Sequence, residues 1–349
     1  MLLRIADRRA GDRPLRDREG RAVNPQISVV IATHERPDLL FRCVDAILVQ
    51  TLPPAQFEIV IVDDGSSRAS RERLLAEVAA RRTRRRAPTL RFLWLPDNRG
   101  PAAARNCGIL AARGGVIAFT DDDTMPLPDW LECGLDAIRQ GADAVAGAID
   151  VPLPAVPTDY ERDAAGLSNA GFVTANCFVR RDVLCAIGGF DERFRYAWRE
   201  DTDLCFRLRA SGAIVRASHA ARVVHPVRPA GWGVSLRQQR KVMFDALLYK
   251  KFPQGYRRYV RARPPWDYYA AVGAGLCAVV NAVAGFVLLA TTSSIVWLAI
   301  SLAFASRRLA DTSHAPRHVA EMIVTSLLIP WLSVYWRTRG ALHFRVPFV

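Results

Sequence analysis

Between residues 27 and 149 the chain alternates two patterns. Ile27–Ala32, Phe57–Val62, Leu90–Leu95, Val116–Thr120 and Ala144–Ile149 are short, apolar-leaning runs with the length of buried strands. Between them lie stretches of helical spacing: Asp38–Leu48 behind Pro37, Arg68–Arg82, and Arg99–Ala112 closed by Gly114-Gly115. Pro128 opens another helix before the fifth strand. Such alternation predicts a parallel sheet covered by helices, an α/β layer architecture. Ligands of these sheets bind beyond the carboxyl ends of the strands. Further on, Val151–Ala170 reads as a loop, Phe172–Arg180 as a strand and Glu200–Ala210 as a short amphipathic helix. Ala213–Val224 supplies two short strands, and Gly231–Phe252 a basic amphipathic helix.

The pattern then changes. Tyr268 to Ala305 is almost wholly apolar and carries no charge. That is nearly twice the roughly 20 residues one bilayer span needs, so a two-helix hairpin is expected, with its turn near Thr291–Ser294. A weaker run, Val319–Trp336, is interrupted by Glu321, Thr325, Ser326 and Ser333 and broken by Pro330. It is expected to be an interfacial or re-entrant helix, with a third span as the alternative.

Charge sharpens this division. The 349 residues carry a formal net charge of +14. One basic run is Arg81, Arg82, Arg84, Arg85 and Arg86; a broader one extends from Arg237 to Arg263. Basic residues precede the apolar run, and Arg307 and Arg308 follow it, so both flanks of the hairpin are expected on the cytoplasmic side. The basic segment Arg237–Lys251 then serves to hold the protein on an anionic membrane surface, and a nucleic-acid partner is not expected. Seven scattered cysteines form no C-x-x-C pair or zinc spacing, which suits a reducing compartment. The expected organisation is a charged flexible arm over 1–25, a catalytic domain over 26–230, a basic amphipathic interface segment over 231–266, a transmembrane hairpin over 267–306, and an interfacial or third membrane helix with a basic tail over 307–349.

Acidic groups stand after two of the strands: Asp63-Asp64 and Asp121-Asp122-Asp123. Three adjacent carboxylates repel one another unless a cation or donor groups compensate them. Asp121 and Asp123 are alternate residues of an extended segment and can face one hard divalent ion.

Five segments occur in one order: Ser28-Val-Val-Ile-Ala-Thr-His-Glu-Arg36, Val60-Ile-Val-Asp-Asp-Gly-Ser-Ser67, Asn98-Arg-Gly-Pro-Ala-Ala-Ala-Arg-Asn-Cys-Gly108, Phe119-Thr-Asp-Asp-Asp123 and Trp198-Arg-Glu-Asp-Thr-Asp-Leu204. In this the chain resembles the family 2 glycosyltransferases, inverting enzymes of the GT-A fold, over about residues 27–226. The resemblance implies a Rossmann-like nucleotide-diphospho-sugar transferase domain, here followed by a C-terminal helical membrane region. It implies that Thr33 and Asp64 contact the nucleotide base, with Glu35 in the same slot, and that Arg105 contacts the donor. Asp121 and Asp123 correspond to the D-x-D pair that touches the donor and holds a divalent ion, Mg²⁺ or Mn²⁺; His225 completes the metal site. Asp122 faces away. Glu200-Asp201 corresponds to the catalytic-base motif, with Asp201 taking the proton of the acceptor hydroxyl.

Processive synthases of this family carry Q-x-x-R-W where this chain has Gln238-Gln-Arg-Lys241, with no tryptophan after Arg240. The expected activity is therefore non-processive, metal-dependent, inverting transfer from a nucleotide-diphosphate sugar to a glycan or lipid-linked acceptor of the membrane or cell envelope. The alternatives are transfer to a polyprenyl phosphate, or a catalytically dead scaffold of the same fold.

Overall fold

A computed structural model describes residues 4–5, 15–16, 22–84 and 87–348. The expected flexible arm over 1–25 falls largely outside the described residues. The chain divides into two compact units. One contains the residues up to Pro152 together with Leu167–Pro226; the other contains Leu153–Gly166 and Val227–Val349.

In the first unit the strands are β1 (Ile27–Thr33), β2 (Phe57–Asp64), β3 (Thr89–Leu95), β4 (Val116–Thr120), β5 (Met125–Pro126), β6 (Ala144–Asp150), β7 (Asn176–Arg180) and β8 (Val215–Val224). They form one sheet in the order β3-β2-β1-β4-β7-β6-β8-β5, with the two-residue strand Arg4–Ile5 on the outer edge of β3. The first four strands are parallel, as the alternation predicts. The sheet as a whole is mixed. β7 runs antiparallel between β4 and β6, and β8 returns parallel to β6. The expected two short strands over 213–224 are one strand, Val215–Val224, with a register shift between Ser218 and Arg222. β1, β2, β4, β6 and β8 run in one direction, so their carboxyl ends share one edge.

The central strands are buried on both faces, so they read as continuous apolar runs rather than alternating ones. Helices α1 (Pro37–Leu48), α2 (Arg68–Arg82), α3 (Pro101–Ala111) and α4 (Trp130–Arg139) connect them. One core contains Leu40, Val44, Ile47, Leu74, Trp130 and Phe178. The other, under α3, contains Val30, Val62, Ala104, Cys107, Phe119 and Leu204. Trp130 is fully buried and donates its indole N–H to Asn176 Oδ1 at 2.8 Å.

The stretch expected to be a loop over 151–170 contains helix α5 (Asp159–Ala165), part of the second unit. Its start is a capping box: Thr158 and Glu161 satisfy each other's backbone N–H groups. In the first unit α6 (Arg181–Ala186) and α7 (Glu200–Ala210) follow.

The rest of the second unit is helical. The basic segment expected to be one helix over 231–252 breaks into α8 (Val234–Gln238), a 3-10 turn and α9 (Met243–Lys251). After α10 (Pro253–Tyr259) come α11 (Trp266–Val283), α12 (Val287–Leu309) and α13 (Pro316–Phe344). The hairpin turn lies at Ala284–Phe286, earlier than the expected Thr291–Ser294. Gly285, at φ +80°, supplies the left-handed residue. The hydroxyls of Thr291, Thr292 and Ser294 instead bond to carbonyls three or four residues back, so α12 runs through them. By length and composition α12 and α13 are each long and apolar enough to cross a membrane.

Candidate active site

The shared sheet edge collects the acidic residues. β4 ends at Thr120 and delivers Asp121, Asp122 and Asp123; β8 ends at Val224 and delivers His225, whose N–H bonds to the carbonyl of Asp150 at the end of β6. Asp121, Asp123 and His225 each present a ligand atom within 4.8 Å of the other two. His225 Nε2 lies 3.4 Å from Asp123 Oδ1. The donor set of two carboxylates and an imidazole fits a divalent ion such as Mg²⁺ or Mn²⁺.

Arg105 lies beneath this cluster. It is buried, donates to Asp121 Oδ1 at 2.9 Å and to Glu200 Oε1 at 3.0 Å, and rests over the Phe190 ring. The expected donor contact is thus a bridge between the acidic loop and the first turn of α7. Glu200 is buried, and its Oε2 carries no hydrogen bond among the described residues. Burial, reinforced by the Asp201 charge, pushes its carboxyl up to about 7 against the pull of Arg105.

Asp201 is only half-buried. Thr202 donates its backbone N–H and its hydroxyl to Asp201 Oδ1, at 2.6 and 3.2 Å. Burial raises this carboxyl too, while the Thr202 bonds and the charges of Arg105 and Arg199 lower it. Arg199, at the start of α7, holds a left-handed backbone with φ 74°. For a residue other than glycine that conformation costs on the order of 1–3 kcal/mol, strain that recurs at functional sites.

Asp122 does not simply face away. It is buried, accepts from Thr33 Oγ1 at 2.8 Å and lies 3.4 Å from Arg36 Nη1. Burial raises its carboxyl to about 6. Thr33 therefore ties the end of β1 to the acidic loop. Asp64 accepts the backbone N–H groups of Arg99 and Gly100, both at 2.8 Å, and so pins the entry to α3. Glu35, with φ 56°, accepts from Ser67 and Ser70 at the start of α2. The structure joins Thr33 to the acidic loop through Asp122, whereas Asp64 and Glu35 hold the two neighbouring loops.

The motif from Asn98 to Gly108 is legible in these terms. Gly100 sits at φ +92°, and a Cβ there would run into the Arg195 carbonyl. Asn106 pins the segment before α7 by exchanging two hydrogen bonds with the Phe190 backbone and donating to Glu192. A Cβ on Gly108 would strike Val30. Asn106 and Arg36 were not among the expected site residues; the A-R-N-x-G pattern over Ala104–Gly108 was the available signal for Asn106.

Residues 28–197 match the pattern of glycosyl transferase family 2, and residues 116–336 match that of glycosyl transferase family group 2. The chain belongs to the family 2 glycosyltransferases. Glycosyltransferase AglE of Haloferax volcanii is 30% identical to this glycosyltransferase over 231 residues, covering 62% of this chain and 72% of that one. The glucosyl-dolichyl phosphate glucuronosyltransferase of the same organism is 27% identical over 259 residues, covering 67% and 77%. Among solved structures, a mannosyltransferase of Pyrobaculum calidifontis in complex with GDP-Man and Mn²⁺ superposes with a TM-score of 0.51 at 16% identity, covering 93% of this chain and 88% of that one. That likeness is one of fold, and it is the GT-A fold.

Proposed function

We propose that this glycosyltransferase moves a sugar, with inversion and without processivity, from a nucleotide-diphosphate donor to a hydroxyl of a lipid-linked or envelope glycan at the cytoplasmic face of a membrane. The observation that carries the reading is the convergence of Asp121, Asp123 and His225, joined through Arg105 and Glu200 to the helix that carries Asp201. Asp121, Asp123 and His225 would hold Mg²⁺ or Mn²⁺. When bound, such an ion neutralises charge on the departing diphosphate. The chain's own residues do the rest. Asp201 Oδ1 is held by Thr202. Oδ2 is then the oxygen that takes the acceptor proton as the acceptor oxygen attacks the anomeric carbon. A raised carboxyl makes a stronger base once ionised. Glu200 is too buried to meet an acceptor and acts by fixing the first turn of α7 through Arg105.

The loops that Asp64, Thr33 and Glu35 hold would frame the nucleotide. Membrane attachment is supported by the uncharged run Tyr268–Ala305 and its basic flanks. The dolichyl-phosphate relative and the apolar helices favour a lipid-linked acceptor.

The test is a panel of nucleotide sugars incubated with the full chain in mild detergent with Mn²⁺, with and without a polyprenyl-phosphate or glycolipid acceptor. Donor hydrolysis and label in the organic-extractable fraction are expected. No binding and no hydrolysis across the panel would sink the proposal, and label confined to water-soluble product would remove the lipid acceptor.

A further inference from the structure

The α11–α12 hairpin ends in an apolar tip. Val283, Val287 and Leu288 are 86%, 74% and 77% exposed, and Phe286 and Leu289 are exposed beside them. A hairpin that emerged at the far face of a bilayer would present a polar turn to water. This turn has none. Part of its backbone also closes on itself. The Phe286 N–H donates to the Asn281 carbonyl and the Gly285 N–H to the Ala282 carbonyl, a Schellman closure of α11. The Ala284 N–H donates to Val280 and the Val287 N–H to Gly285. The side chains follow suit: Asn281 donates to the Cys277 carbonyl, and Thr291, Thr292 and Ser294 to carbonyls of their own helix. Each such bond lowers the cost of placing this backbone in hydrocarbon, where an unsatisfied polar group costs several kcal/mol.

The base of the hairpin is the opposite. Arg307 pairs with Asp267 at 2.9 Å and joins the two ends. Arg308 is buried and donates to Asp159, Thr325 and Ser326.

α13 is tied at both ends to one basic segment. Near its start Glu321 accepts from the Gly233 N–H at 2.7 Å; near its end the Phe344 carbonyl accepts from Lys250 at 2.8 Å. Arg337 is buried 4.0 Å from Asp245 of α9. If α13 crossed a bilayer, the segment from Gly233 to Lys250, with Arg237, Arg240 and Lys241, would have to cross beside it. A charged side chain at the bilayer centre costs several kcal/mol. Between Glu321 and Arg337 α13 has 15 uncharged residues, about 22 Å of helix against a hydrocarbon core of about 30 Å.

We infer that the chain is held by a wedge that enters the membrane from one side only. The tip Val283–Leu289 stops in hydrocarbon, and α13 lies along the entry surface without crossing. The partner is a lipid bilayer. The inference rests on the membrane attachment proposed above and is independent of the transfer chemistry.

The experiment uses the full chain in sealed vesicles and a membrane-impermeant maleimide added from either side. Cys185, exposed in the first unit, marks the catalytic side, and Cys277 is replaced by serine. Phe286→Cys and, separately, Val283→Cys are expected to stay unlabelled from both sides and to react only after detergent is added. Leu342→Cys, at an exposed position near the end of α13, is expected to label together with Cys185. Labelling of a tip cysteine from the side opposite Cys185 would mean a full span, and labelling from the same side would mean a tip in water; either overturns the inference. Labelling of Leu342→Cys from the side opposite Cys185 would put α13 across the membrane and overturn it as well. Donor hydrolysis by the same vesicles reports separately on the proposed transfer.

Discussion

Glu200→Gln tests the electrostatics of the site through stability. Glu200 is 3% exposed, and burial with the Asp201 charge moves its carboxyl from 4.5 up to about 7. A carboxyl raised on folding binds its proton more tightly in the folded chain than in the unfolded one. Its contribution to stability is therefore fully present below pH 4.5 and is lost as pH rises through about 7. Glutamine has nearly the same shape, can still accept from Arg105 and has no proton to lose. Each pKa unit is worth about 1.4 kcal/mol, so the parent should fall behind the variant by about 3 kcal/mol between pH 4.5 and about pH 8.

The assay is urea unfolding of the detergent-solubilised full chain, followed by tryptophan fluorescence at steps across that range. The helical second unit is common to both proteins, so its contribution drops out of the difference. A stability difference that does not change with pH would refute the reasoning. A difference that favours the parent as pH rises would mean that Arg105 holds Glu200 ionised and depressed.

Three further outcomes are expected. Asp201→Asn should lower transfer by about 10²–10⁴-fold while calorimetry finds donor affinity unchanged; an unchanged turnover removes the base role. Gly100→Ala forces a left-handed alanine, costing about 1–2 kcal/mol, and drives its Cβ against the Arg195 carbonyl, costing about 1–3 kcal/mol more. The thermal midpoint should drop by several degrees, and an unshifted midpoint contradicts the close approach. Thr33→Val removes the 2.8 Å bond to Asp122, a charge-assisted bond worth about 1.5–3 kcal/mol. Stability and donor KM should both worsen; a KM effect with no stability loss would instead make Thr33 a direct donor contact.

β1, β2, β3, β4 and β6 were legible because each is a short, apolar-leaning run bounded by turn residues. The direction of β7 was not, since a short run such as Asn176–Arg180 reads alike in either sense and is oriented only by its neighbours on the sheet. α5 was hidden by the prolines around it, although Thr158 and Glu161 spelled out its capping box. The hairpin turn was assigned to Thr291–Ser294 on polarity. The decisive residue was Gly285, because a left-handed closure is needed there while a hydroxyl can bond back into a helix. In the site, residue types could be read but not their partners. Arg105 meets Glu200 across 95 positions, and only the packing of α7 against α3 and the acidic loop brings them together.

The arrangement of the three adjacent aspartates bears on where a cation would fit the proposed chemistry. Asp121 turns to Arg105, Asp122 to Thr33 and Arg36, and Asp123 to His225. Asp122 is thereby committed to holding β1, which leaves the outer two to share a ligand. With Glu200 and Asp201 the cluster has five carboxyl groups, and the guanidinium groups acting on them are Arg36, Arg105 and Arg199. Arg105 already divides itself between Asp121 and Glu200. A diphosphate brought to this edge would add negative charge where burial has already raised Asp122, Glu200 and Asp201. Burial already shifts Glu200 and Asp122 toward their protonated forms. A divalent ion held by Asp121, Asp123 and His225 would supply positive charge where the leaving group of the proposed transfer develops negative charge.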